Sequence, residues 1–375
     1  MSPNTPRILL IDDEVSKEES VAAGLRLSNL SVVVRSPDTV TQDDLRASNV
    51  IAIDHHFDWS RLPHPSECLY WPQDGLAVAA VVTGHLRKMD HHAAVVLRTG
   101  NLDSLAGPLP RHLRQPAVAA ENGLDWVFRK EDPEIAHGLH SVARAVEGLK
   151  ALVTDQARWN EGCDWLDVPD TKWKEAALAD VQVCRPPENF VATYTSGSAW
   201  LRWFAQRVIP FPTFILPDIW AATLLRLPVE EFQEILSEET PLSEALNQCR
   251  YTGHLSELGE QRWWRAGLDS LVDSLLLDAS SHLAEAEALA EQMAALRGRH
   301  VQTIGFEYPV VTIDSDYHPG EVLDASDCVR LTPDFWPVFG QEPWAAFDEL
   351  YEDPPLRKMV ARGDRPRSRR EGNHE

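Results

Sequence analysis

The chain has 375 residues, 43% of them apolar and 25% charged, with a formal net charge of −23. Such a length holds two or three domains around sizeable cores, and the apolar content excludes a disordered chain. No apolar run approaches the roughly eighteen residues of a membrane helix, and 58 acidic against 35 basic residues make a poor general binder of nucleic acid.

The five cysteines are scattered with no CxxC pair, and the N-terminus reaches its first acidic cluster within a dozen residues. Reduced thiols, no secretory signal and a cytoplasmic location are the reading these features give.

Arg7–Ile11 (RILLI) reads as a buried strand running into Asp12, Asp13 and Glu14. Helical spacing follows over Ser20–Leu30, a second strand over Ser31–Arg35 and a short helix over Gln42–Ser48. Val50–Ile53 is a third strand, ending at Asp54, and Leu76–Arg87 is an apolar helix. Ala93–Leu97 is a fourth strand, ending at Thr99, and Asp125–Arg129 a fifth, ending at Lys130. Strands joined by helices predict an open, mostly parallel α/β sheet, whose active residues sit at the carboxyl ends of its strands. Here those ends carry Asp-Asp, Asp, Thr and Lys.

Beyond Pro133 the texture changes. Glu134–Thr154 is a long helical pattern, and ten of the thirteen tryptophans lie past residue 150, where they need large apolar partners. Ser196–Val208, Asp218–Arg226, Val229–Glu238 and Pro241–Cys249 read as helices. Arg262–Leu277 sets Trp264, Leu268, Leu271 and Leu275 on one amphipathic face, and Ser281–Arg297 is a further helix. Val301–Ile313 has the β-branched content of a strand or hairpin. Asp314–Glu375 reads as an extended, irregular arm ending in a basic, solvated tail. The division expected is an α/β unit over 1–135, a mainly α-helical domain over 136–300, and a short β element with an irregular C-terminal tail over 301–375.

The strings ILLIDDE (8–14), VIAID (50–54), VVLRTG (95–100) and WVFRK (126–130) resemble the receiver domain of two-component response regulators over about residues 5–132. WPQDG (71–75) is similar to the turn that opens the helix after strand three in that family. The resemblance implies a flavodoxin-like receiver fold. It makes Asp54 the phosphoacceptor, with Mg2+ held directly by Asp13 and Asp54, through water by Asp12, and by the backbone carbonyl of His56. It also implies that Lys130 pairs with one phosphoryl oxygen while Thr99 hydrogen-bonds another. The residue types suit the chemistry: an oxygen nucleophile attacks phosphorus, and crowded carboxylates need a hard cation between them. Lys130 is followed by Glu131 where the family has proline, and Val127, flanked by Trp126 and Phe128, stands where many receivers have an aromatic.

Other groups carry less. His137 and His140 share a helix face as a phosphotransfer histidine would, although surface histidines are commoner. His55 and His56 read as loop residues. Asp314, Asp316 and His318 alternate like cation ligands but lack the glycine and glutamate of an EF-hand, so turn residues explain them. Ser196-Gly-Ser198 reads as a helix cap.

The function expected is that of a response-regulator-like protein in a phosphorelay, served by a sensor histidine kinase or phosphotransfer protein. Residues 136–375 carry a net charge of −17, which favours a downstream protein partner over specific nucleic acid, and no membrane partner is expected. The alternatives are an unphosphorylated receiver acting as a docking scaffold, and a receiver-controlled enzyme with its site in the helical domain.

Overall fold

The computed structural model describes residues 6–58, 74–153, 168–187, 196–277 and 285–370, with Ser60, Pro72 and Leu166. Its first unit is a parallel sheet of β1 (Arg7–Ile11), β2 (Ser31–Arg35), β3 (Val50–Asp54), β4 (Ala94–Thr99) and β5 (Trp126–Arg129), in the order β2-β1-β3-β4-β5. That order is the flavodoxin-like one, with its topological switch between β1 and β3.

The central strands are continuous apolar runs because both faces are covered. Ile8, Leu10, Val50, Ala52, Val96, Trp126 and Phe128 point to one face. Helices α1 (Val15–Leu27) and α6 (Ile135–Val153) cover it with Ala22, Leu25, Leu139, Val142 and Val146. Leu9, Ile11, Ile51, Ile53, Val95, Leu97 and Val127 point to the other face. There α2 (Gln42–Arg46), α3 (Gly75–Lys88), α4 (Leu102–Ala106) and α5 (Arg114–Glu121) close the core. The core of this unit therefore runs past residue 135 into α6.

Helix Ser196–Trp203 lies against α6 and continues as a π turn over Phe204–Val208, rather than as one α-helix to Val208. Arg202 Nε sits 2.9 Å from Asp125 Oδ1, both residues buried, and Gln206 Nε2 donates to the Leu124 carbonyl at 2.9 Å. Trp173, Val181, Trp200, Phe204, Phe214, Tyr251 and Trp264 join the same apolar cluster as Ile8 and Leu10.

The helix expected from Arg262 begins only at Arg265. Arg262–Trp264 is instead strand β7, antiparallel to β6 (Ile215–Pro217). The two tryptophans explain the difference, since a strand sends neighbours to opposite sides. Trp263 packs edge-on against Phe232 and donates its indole N–H to Asp218 Oδ1 at 2.8 Å, while Trp264 stacks on Phe214.

The expected irregular tail is also corrected. Strands β8 (Pro309–Ile313), β9 (Pro319–Asp324), β10 (Cys328–Arg330) and β11 (Trp344–Ala346) form a second sheet in the order β10-β11-β8-β9. Short helices follow at Glu349–Glu352, Pro354–Met359 and Arg365–Arg370. Leu350, Leu356 and Val360 are buried with Val329, Leu331 and Ala345 in one core. Two of the basic residues are engaged as well: Arg357 lies over Tyr351, and Arg367 lies over Phe347 and donates to the Ser326 carbonyl. Two of these strands span only three residues, too few to display a period-2 pattern. Among the described residues no helix is long and apolar enough to cross a membrane.

Candidate functional site

The alternation of side chains along parallel strands decides which residues meet at the carboxyl edge. Asp12, Asp54 and Lys130 each lie two residues beyond a position that faces α1 and α6 (Leu10, Ala52 and Phe128), so they share that side. The structure brings them together. One oxygen from each of Asp12, Asp13 and Asp54 lies within 4.8 Å of the others. Lys130 Nζ stands 2.9 Å from Asp54 Oδ1 and 3.5 Å from Asp12 Oδ2.

The loops around this cluster are fixed by short-range contacts. Asp12 Oδ1 accepts the Glu14 backbone N–H at 2.8 Å, and Asp13 Oδ2 accepts that of Asp58 at 3.1 Å. Helix α3 starts directly beneath Asp54, with Asp74 as its N-cap accepting the Ala77 N–H at 2.9 Å. A Cβ on Gly75 would meet the Asp54 carbonyl oxygen at 1.9 Å, so the glycine of WPQDG is required by that close approach.

Burial pushes the Asp12 carboxyl up to about 6; the Glu14 N–H opposes this and the Asp54 charge adds to it. A crowded set of three carboxylates, Asp12 and Asp54 buried and Asp13 half-buried, with one lysine suits a hard, oxygen-seeking cation such as Mg2+. Among the described residues this is the one group of three or more His, Cys, Asp and Glu side chains close enough to share a metal ion.

Thr99 is buried at the end of β4, where its Oγ1 accepts the Asn101 N–H at 3.0 Å and lies 3.5 Å from His55 Nδ1. His55 is therefore more than a loop residue: it is buried, and burial, followed by the His56 charge, lowers its pKa. His56 is exposed, its ring centroid 4.1 Å from that of His55. Glu131 reaches over Gly100, since a Cβ there would meet Glu131 Oε1 at 2.9 Å. Trp126, Val127 and Phe128 are all buried, Val127 on the face opposite its neighbours.

A second buried charge pair adjoins the site. Arg98, in register with Asp54 on the next strand, holds Glu18 of α1 at 2.6 Å, and both are almost wholly buried. Sequence reading passed over both, although an arginine inside VVLRT was a signal, because a charge in a buried strand needs a partner.

The weaker candidates find ordinary roles. His137 pairs with Glu134, which raises its pKa, and His140 Nδ1 is 3.3 Å from Glu257. Asp314 and His318 close the β8–β9 turn, and Asp316 Oδ1 accepts the Arg111 N–H at 2.9 Å. Ser196 is the first residue of its helix, which contains Ser198 as well.

No family model and no curated protein matches the chain. Solved structures that do include a CheY-like response regulator receiver domain from Methanospirillum hungatei, 14% identical, covering 38% of this chain and 98% of that one, with a TM-score of 0.26. A receiver domain protein from Clostridium thermocellum matches at 18% identity over 40% of this chain and 98% of its own, with a TM-score of 0.28. A response regulator from Burkholderia pseudomallei, solved with a phosphorylated aspartic acid, a calcium ion and citrate, matches at 16% identity over 54% of this chain and 98% of its own, with a TM-score of 0.24. The N-terminal α/β unit resembles these receiver domains.

Proposed function

We propose that this chain is a Mg2+-dependent phosphoacceptor of a phosphorelay. The observation that carries the reading is the cluster of Asp12, Asp13 and Asp54 with Lys130 at the carboxyl edge of a β2-β1-β3-β4-β5 sheet. An Asp54 carboxylate oxygen attacks the phosphorus of a phosphohistidine or an acyl phosphate. The new O–P bond forms as the P–N or P–O bond of the donor breaks, and the leaving group keeps its electron pair. Asp12, Asp13 and Asp54 would hold Mg2+, which supplies charge neutralisation at the transferring oxygens. Lys130, now paired with Asp54, carries its ammonium to a phosphoryl oxygen as the carboxylate becomes an acyl phosphate. Thr99 has a hydroxyl to offer a second oxygen, in exchange for its present contact with His55.

The donor would be a sensor histidine kinase or a phosphotransfer protein. The output would go to a protein and not to specific DNA, since residues 136–375 carry 39 acidic against 22 basic residues. Incubation with acetyl phosphate and Mg2+, followed by a phosphate-affinity gel, tests the reading. A shifted band that disappears in Asp54→Asn and without Mg2+ supports it; wild-type uptake by Asp54→Asn overturns it. One observation favours the docking-scaffold reading: Glu131 places a further carboxylate against Gly100, beside Thr99.

A further inference from the structure

Arg98 is the unexpected charge of the site. It is 3% exposed in a strand whose other side chains are apolar except Thr99. It precedes Thr99, lies in register with Asp54 across the β3–β4 ladder, and accepts the His55 N–H on its backbone carbonyl at 3.0 Å. Arg98 lies two residues beyond Val96, and Asp54 two beyond Ala52, so both side chains leave the sheet on the face covered by α1 and α6. Neighbouring strands are about 4.8 Å apart, so the carboxylate of Asp54 is within easy reach of an arginine side chain. The guanidinium is turned to Glu18 instead, with Nη1 2.6 Å from Oε2, while the buried Nε makes no hydrogen bond among the described residues.

Glu18 sits in the first turn of α1, and its N–H is bonded to the Glu14 carbonyl at 3.0 Å, one turn from the acidic pair. A buried guanidinium without a carboxylate partner is costly and takes the nearest one available. Asp54 of the acidic cluster stands in register with Arg98 on the neighbouring strand.

We propose that Glu18 is a positioning residue that sequesters Arg98, keeping its guanidinium off Asp54 and Asp12 so that the cluster stays open to a divalent cation. The inference rests on the phosphoacceptor reading, because it assigns the cluster to Mg2+. Without Glu18, Arg98 becomes a built-in competitor of the metal.

The test is titration calorimetry with Mg2+ on the full chain, so no phosphoryl transfer is needed for the readout. Glu18→Gln is expected to bind Mg2+ at least about tenfold more weakly, the scale typical of lost support around metal ligands. The double variant Glu18→Gln with Arg98→Met removes the competitor and is expected to return to within about twofold of wild type. A purely structural pair predicts the reverse, with the double variant no better than the single one. Equal affinity in wild type and Glu18→Gln, or no recovery in the double variant, overturns the inference and leaves the phosphoacceptor reading standing. Loss of the folded state in Glu18→Gln, seen by circular dichroism, also overturns it, because the freed guanidinium has then found no carboxylate. If wild type itself binds no Mg2+, the phosphoacceptor reading falls, and this inference with it.

Discussion

Asp12 should make the metal-free protein less stable at neutral pH. Its carboxyl is raised from 3.8 to about 6, chiefly by burial. A raised acid binds its proton more tightly in the folded state than in the unfolded chain. The folded state therefore keeps its full advantage below pH 3.8 and loses it as pH rises through about 6. Over that interval the loss is on the order of 3 kcal/mol. Asp12→Asn removes the ionisation and keeps an oxygen that can accept the Glu14 N–H. The variant should be the more stable protein at neutral pH without Mg2+, with a melting temperature higher by several degrees. Its advantage should fade as the solution is acidified below about pH 6, where wild-type Asp12 takes up its proton. Saturating Mg2+ should narrow the gap from the other side by stabilising wild type. Differential scanning calorimetry of both proteins across this pH range, in chelator and in Mg2+, measures all three effects. An Asp12→Asn variant no more stable than wild type at neutral pH, or an advantage that ignores pH, would refute the argument.

Two substitutions away from the acidic residues probe the scaffold. Gly75→Ala forces a Cβ to 1.9 Å from the Asp54 carbonyl oxygen, and should lower stability by about 1–3 kcal/mol along with phosphate uptake. Gly84→Ala, on the same helix with nothing within 4 Å, should instead stabilise by about 0.5–1 kcal/mol in urea denaturation. Arg202→Met leaves Asp125 buried without its ion-pair partner and should cost about 3–5 kcal/mol. Adding Asp125→Asn should recover most of that loss, and additive losses in a denaturation cycle would count against the pairing.

The α/β unit is legible in the sequence because its strands are buried on both faces. RILLI, VIAI and AAVVL announce themselves as apolar runs, and the polar residues that end them converge at the carboxyl edge of the sheet. Where packing partners lie far along the chain, local pattern misleads. The helix after Pro133 is assigned to the second region by its change of texture, yet Leu139 and Val146 complete the core begun by Ile8. Arg262–Trp264 keeps a helical spacing with Leu268, but pairing with Ile215–Pro217 decides its backbone. The C-terminal stretch is rich in Pro, Asp and Arg, which normally mark open chain. Here Asp364 is buried and holds Arg330 at 3.1 Å, a pairing across 34 positions that no window of local sequence contains.

If Asp54 accepts a phosphoryl group as proposed, the apolar cluster shared by Ile8, Trp126, Trp200 and Trp264 bears on how that event can be felt outside the α/β unit. A regulator whose halves touch through a polar, hydrated seam can signal by letting go. Here parting would bring several tryptophans into water and strip Asp125 of Arg202, a penalty far larger than one phosphoryl group repays. On the phosphoacceptor proposal, a message from Asp54 would travel with both halves still joined, by rearrangement of packed side chains. Cutting the gene after β5 would yield a fragment with an open core instead of a portable module, because Leu139, Trp200 and Trp264 belong to the same cluster as Ile8.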